Sequence, residues 1–106
     1  MAEEKVDYKK KVELGVGSDL SRTIVFYNEG HTLGNALRNI LMQQEDIEFC
    51  GYSVPHPVEA KMHLRVQTKG TRAVDELVKS LNTLTTICND IDSSYNDALE
   101  RYNKSH

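Results

Sequence analysis

Nine residues, Val74, Leu77, Leu81, Leu84, Cys88, Ile91, Tyr95, Ala98 and Tyr102, follow one another at intervals of 3, 4, 3, 4, 3, 4, 3 and 4. Apolar side chains repeating every 3.5 residues form a single seam along an α-helix. The spacing predicts one helix from about Ala73 to Asn103, with Gly70 and Thr71 at its entry. Some 30 residues at 1.5 Å each give roughly 45 Å of helix. The chain has 106 residues, one domain's worth, and a compact chain of that size has a radius of gyration near 13 Å. The helix therefore overhangs its own domain, and part of its seam needs cover from elsewhere. Asn82, Thr83, Thr85, Thr86, Asn89, Asp90, Asp92, Ser93 and Ser94 are indifferent helix formers, so packing must supply much of the helicity. Beyond about Ser93, order is expected to depend on a partner.

The elements before the helix are shorter. Residues 1–20 read as an N-terminal tail in which Val12, Leu14 and Val16 alternate well enough for a marginal strand, followed by the breakers Gly17, Ser18 and Asp19. Thr23 to Tyr27 is a run of β-branched and aromatic residues suited to a strand. Leu33, Ala36, Leu37, Ile40 and Leu41 then switch to helical spacing, with Thr32 in place as N-cap and a stop near Met42 to Gln44. Gly34 is costly inside a helix, which implies a close approach by another backbone. Arg38 lies off the apolar stripe with Asn35 and Asn39. Ile47 to Val54 reads as a strand with Gly51 as a bulge or close contact, ended by Pro55 and Pro57. Met62, Leu64 and Val66 alternate with polar residues in a half-buried strand. The expected fold class is α+β: a two-layer sandwich with a small, mostly antiparallel sheet covered by two helices, the second long. Residues 21–106 form the expected domain.

Composition narrows the function. Lys plus Arg is 13 and Asp plus Glu 16, a net charge of −3, which opposes free-standing nucleic-acid binding. Lys9 to Lys11 is a short basic patch without interleaved aromatics. No apolar run approaches the ~20 residues of a membrane span. The acidic start Met1-Ala2-Glu3-Glu4 is unlike a secretory signal. Two cysteines without metal-type spacing suit a reduced intracellular compartment. His31, His56, His63 and His106 with Cys50 and Cys88 form neither a C-x-x-C nor an H-E-x-x-H pattern. No catalytic, cofactor or metal residue is assigned. A small metal-dependent enzyme using His31, His56 and Cys50 is the remote alternative, and a nucleic-acid binder using Lys9 to Lys11 a further one.

The string Glu29-Gly30-His31-Thr32-Leu33-Gly34-Asn35-Ala36-Leu37-Arg38-Asn39-Ile40-Leu41 closely resembles the alpha motif of RNA polymerase assembly subunits. Glu48 to Pro57 and Met62 to Thr68 are similar to the segments that follow it in the archaeal and eukaryotic small alpha-like subunit. Within that family, Phe49-Cys50-Gly51-Tyr52 and Gln67-Thr68-Lys69-Gly70-Thr71 look most like the form shared by RNA polymerases I and III, the RNA polymerase II counterpart being the alternative. The chain departs from the shared form at Arg72-Ala73, where a proline often follows the Gly-Thr pair.

The resemblance implies the dimerisation domain of RNA polymerase alpha subunits and a non-catalytic role. It implies a heterodimer with a larger alpha-like subunit, on which the large catalytic subunits assemble, in the nucleus including the nucleolus. No direct specific DNA contact, no membrane and no cofactor are expected. Leu33, Gly34, Leu37, Ile40 and Leu41 of the first helix and Leu77, Leu81, Leu84, Cys88 and Ile91 of the second would build the core and dimer seam. Gly34 would permit close helix approach, and Asn35, Arg38 and Asn39 would meet a large subunit.

Overall fold

The computed structural model describes residues 11–56 and 58–105. Residues 1–10, including Lys9 and Lys10 of the basic patch, together with Pro57 and His106, lie outside the described residues. In chain order the elements are β1 (Val12–Gly17), β2 (Ser21–Tyr27), α1 (His31–Met42), β3 (Ile47–Ser53), β4 (Lys61–Thr68) and α2 (Ala73–Ser105). The four strands form one sheet in the order β1-β2-β4-β3, every neighbour antiparallel. The alternation of Met62, Leu64 and Val66 holds: these are fully buried, while the residues between them are half-buried on the opposite face. Val12 to Gly17 is a paired edge strand, Val12 opposite Phe26 and Leu14 opposite Ile24.

A tight turn joins β1 to β2, closed by Ser18 N–H donating to the Ser21 carbonyl at 2.6 Å. Gly17 makes that turn possible. Its φ is 148°, and a Cβ there would lie 2.1 Å from the Ser21 carbonyl oxygen. After β2, Asn28 adopts a left-handed φ of 61°, which asparagine tolerates, and donates its N–H to the Ala60 carbonyl.

The first helix starts two residues earlier than a Thr32 cap would place it. Gly30 occupies the N-cap position without a side-chain cap bond, so Thr32 is an exposed residue of the first turn. His31 anchors this end instead, its ring edge-on to Tyr52 with centroids 5.6 Å apart and Nδ1 3.2 Å from the Tyr52 hydroxyl. Tyr52 also accounts for Gly34. A Cβ at Gly34 would fall 2.5 Å from the Tyr52 ring, so the glycine admits an aromatic side chain of β3, not another helix backbone as the sequence implied.

The core lies between the sheet and the helices: Ile24, Phe26, Leu37, Leu41, Cys50, Met62, Leu64, Val66, Ala73 and Leu77. Leu33, Tyr52, Leu81 and Leu84 pack around its rim. The loop into α2 is tied down by Asp46, whose carboxylate accepts from the Gly70 N–H at 3.3 Å, the Thr71 N–H at 2.7 Å and the Thr71 hydroxyl. These bonds hold its carboxyl below the ordinary aspartate range, the Thr71 hydroxyl contributing most. Asp75 and Glu76 in the first turn of α2 and Lys104 in the last complement the helix dipole. Thr83, Thr85 and Thr86 donate their hydroxyls to carbonyls four residues back, which accommodates these weak helix formers.

Candidate protein-interaction surface

At 33 residues, α2 is about 50 Å long. The radius of gyration is 17.4 Å, against about 13 Å for a compact chain of this size. The overhang expected from the heptad pattern is present, and the helix divides into two parts. From Ala73 to Leu84 one face is seated on the core, with Ala73, Leu77 and Ser80 buried and Val74, Leu81 and Leu84 half-buried. From Thr85 to Ser105 every residue is exposed.

The apolar stripe does not end where the cover ends. Leu77, Leu81 and Leu84 lead at the same 3,4 spacing into Cys88, Ile91, Tyr95, Ala98 and Tyr102, so the free stripe continues the face that docks. Ile91 is 62% exposed, Tyr95 65% and Tyr102 58%. Ile87 and Leu99, also exposed, widen the stripe on either side of the seam. A contiguous exposed patch of large apolar side chains marks an interaction surface. Complete burial of a large aliphatic side chain is worth about 1.5–3 kcal/mol, and because these are already partly covered a partner would gain a part of that from each.

The sheet adds to this surface. The register of β1 puts Val12 and Leu14 on the helix side, beside Phe26 and Ile24 of β2, yet both are about half exposed. The helices cover β2, β4 and β3 and leave the helix-side face of the edge strand open. Apolar surface is thus offered on the first strand as well as the last turns.

The candidate residues sort accordingly. Leu37, Leu41, Leu77 and Gly34 are buried within the chain; Leu33, Ile40, Leu81 and Leu84 are half-buried; Cys88 and Ile91 are exposed. Cys88 is thus not a core position of this chain, because the helix has left the sheet before reaching it. Asn35, Arg38 and Asn39 are exposed together on α1 at helical spacing. The pattern reading passed over Ile87 and Leu99, which sit one position off the strict seam, and Val12 and Leu14. Strand alternation marked the latter pair, but not that they would lack cover.

The groups considered for chemistry are not assembled. Among the described residues no three His, Cys, Asp or Glu side chains are placed to hold a metal ion. Cys50 is buried under α1, and burial pushes its thiol up to about 11, far from a reactive thiolate at neutral pH. His31 is engaged with Tyr52, and His56 is exposed in the loop after β3. Among the described residues no helix is long and apolar enough to cross a membrane.

Comparison with known proteins gives the family of the chain. The family model of the RNA polymerase Rpb3/Rpb11 dimerisation domain matches residues 21–94, from β2 into the free half of α2. DNA-directed RNA polymerases I and III subunit RPAC2 of Drosophila melanogaster is 43% identical over 83 residues, spanning 78% of this chain and 79% of that protein. The protein of the same name from Schizosaccharomyces pombe is 46% identical over 89 residues, spanning 82% and 71%. The crystal structure of DNA-directed RNA polymerase subunit L from Thermoplasma acidophilum shares the fold, with a TM-score of 0.76 at 18% identity over 90% of this chain and 94% of that one. The chain belongs to the RNA polymerase Rpb3/Rpb11 dimerisation-domain family.

Proposed function

We propose that this chain is the small alpha-like assembly subunit shared by RNA polymerases I and III, acting in the nucleus and nucleolus without catalysing a reaction itself. It pairs with a larger alpha-like subunit, and the pair is the platform on which the two large catalytic subunits assemble. One observation carries the reading: the docked seam of α2 runs on, without a break in spacing, through a segment in which every residue is exposed. The names of the relatives support the polymerase and its subtype.

On this reading Leu81, Leu84, Cys88, Ile91, Tyr95 and Tyr102 form the seam with the larger subunit. Leu33 and Ile40 border it, and Leu37, Leu41 and Leu77 support it from within. Asn35, Arg38 and Asn39 face a large subunit from the exposed side of α1. The dimerisation unit extends over 21–106, with 1–20 an appended segment whose β1 lengthens the apolar face. A net charge of −3 leaves specific DNA contact to other subunits.

Co-expression with the larger alpha-like subunit tests the proposal. A one-to-one complex that co-purifies the large subunits of both polymerases is expected. A chain that remains a stable monomer beside that subunit contradicts the assembly role, and recovery of RNA polymerase II subunits alone contradicts the subtype.

A further inference from the structure

The face of the sheet turned away from the helices carries a feature that dimerisation leaves unused. Gly51 of β3 stands directly opposite Arg65 of β4, so the neighbouring strand has no side chain at that point. The gap is the floor of a depression of about 370 Å³ walled by Thr23, Phe49, Ser53, His63 and Arg65. Phe49 is 50% exposed and leans over the gap, since a Cβ at Gly51 would stand 3.2 Å from its ring.

Arg65 is held in place across the sheet. Its Nη1 donates to the Val16 carbonyl at 3.2 Å and to Thr23 Oγ1 at 3.1 Å, and its Nη2 donates to Ser21 Oγ at 2.5 Å. All three acceptors are neutral, and no carboxylate is among the residues that line the depression. Three of the five guanidinium N–H groups are engaged in this way, which leaves the Nε–H and one Nη2–H to donate to a carboxylate. Arginine and aromatic residues, phenylalanine included, are also enriched at protein interfaces. A phosphate backbone is served less well, because that requires a track of free cations, and Lys61 on the same face is engaged by Glu59 at 3.1 Å.

We infer that this depression is a docking site for an acidic segment of another polypeptide of the polymerase, whose carboxylate meets Arg65 while an adjacent apolar side chain lies on Phe49. The inference rests on the polymerase-subunit reading above. It concerns the opposite face of the sheet from the proposed dimer seam, so the two surfaces can be occupied together.

The test is a photo-crosslink in the assembled enzyme, with Phe49→p-benzoylphenylalanine in the full chain. Irradiation of the purified polymerase is expected to join position 49 to a segment of another subunit bearing Asp or Glu beside the crosslinked residue. On that background Arg65→Gln lowers the crosslink yield about tenfold, the loss expected for a charge-assisted hydrogen-bonded pair. Because Arg65 also braces the strands, Ser53→Asp, which puts an acid into the depression and leaves the brace intact, should lower the yield comparably. In both variants the larger alpha-like subunit co-purifies as before. A crosslink to nucleic acid, to a second copy of this chain or to a segment without acids overturns the inference. So does the absence of any crosslink in assembled enzyme, or a yield indifferent to both variants. Loss of the larger subunit with the acidic crosslink retained would instead contradict the assembly reading alone.

Discussion

The two halves of α2 share one heptad pattern and have opposite surroundings. From Ala73 to Leu84 the seam is seated on the sheet and on α1; from Thr85 to Ser105 the same seam is bare. Leu77 is 4% exposed and Ile91, two heptads on, is 62% exposed. The difference lies in the length of the sheet beneath the helix, not in the residues of the helix. A small four-stranded sheet can cover only the first turns of a helix of about 50 Å. One pattern therefore serves two purposes, holding the chain together in the first half and offering it to a partner in the second.

Substitutions that separate the halves have the largest effects. Leu77→Ala removes a buried side chain and should cost about 2–5 kcal/mol, seen as a lowered midpoint in denaturant unfolding of the purified complex. Ile91→Asp should change the stability of the chain itself by no more than about 0.5 kcal/mol. It should nevertheless abolish recovery of the larger alpha-like subunit in a pull-down, since a charge would enter the seam without a partner. Leu81→Asp is expected to abolish pairing too, but Leu81 also packs on the core, so unfolding contributes to its effect. Equal behaviour of Leu77→Ala and Ile91→Asp would erase the proposed division.

Gly34→Ala should cost about 1–3 kcal/mol in the same unfolding experiment, because the added methyl meets the Tyr52 ring at 2.5 Å. Tyr52→Leu in the same chain should recover part of that loss. If it does not, the ring is not what requires glycine.

The two cysteines report the comparison without a change in packing. Cys88 lies in the bare half and is exposed. It should be alkylated by a maleimide at neutral pH in the isolated chain and protected at least about tenfold when the larger subunit is bound. Cys50, buried with its thiol pushed up to about 11, should remain unreacted in both states. Labelling of Cys88 at the same rate in both would remove it from the seam.

The smallest expected effect is on acid stability. The folded state holds the Asp46 carboxyl below its ordinary range, so its contribution is complete above that range and is lost as the pH falls through the lowered value. Asp46→Asn should flatten the acid side of a stability–pH curve slightly and leave the neutral side parallel to that of the parent chain. An unchanged acid limb would contradict the tie between Asp46 and Thr71.

Much of this arrangement was legible in the residues. The 3,4 spacing predicted α2 and its overhang, and the alternation of Met62, Leu64 and Val66 predicted the central strand. The string from Glu29 to Leu41 identified the family. What pattern alone did not disclose was tertiary. Thr32 is a good cap residue by type, but the helix starts at His31, whose ring pairs with Tyr52. Gly34 announced a close approach, but by the Tyr52 side chain and not by the backbone its residue type implied, since only the folded chain brings β3 beneath α1. Cys88 and Leu81 occupy equivalent places in the heptad pattern, one repeat apart, and their different exposure depends on where the sheet ends. Val12 to Gly17, marginal by composition, is held by pairing with β2.

Hydrogen exchange on the purified complex with the larger alpha-like subunit tests the central claim most directly, because both halves of α2 are read in one sample. If the bare half is the seam, the amides from Thr85 along the apolar stripe exchange as slowly as those of Ala73 to Leu84. Rapid exchange beyond Thr85 in a complex that remains intact would show that the partner binds elsewhere.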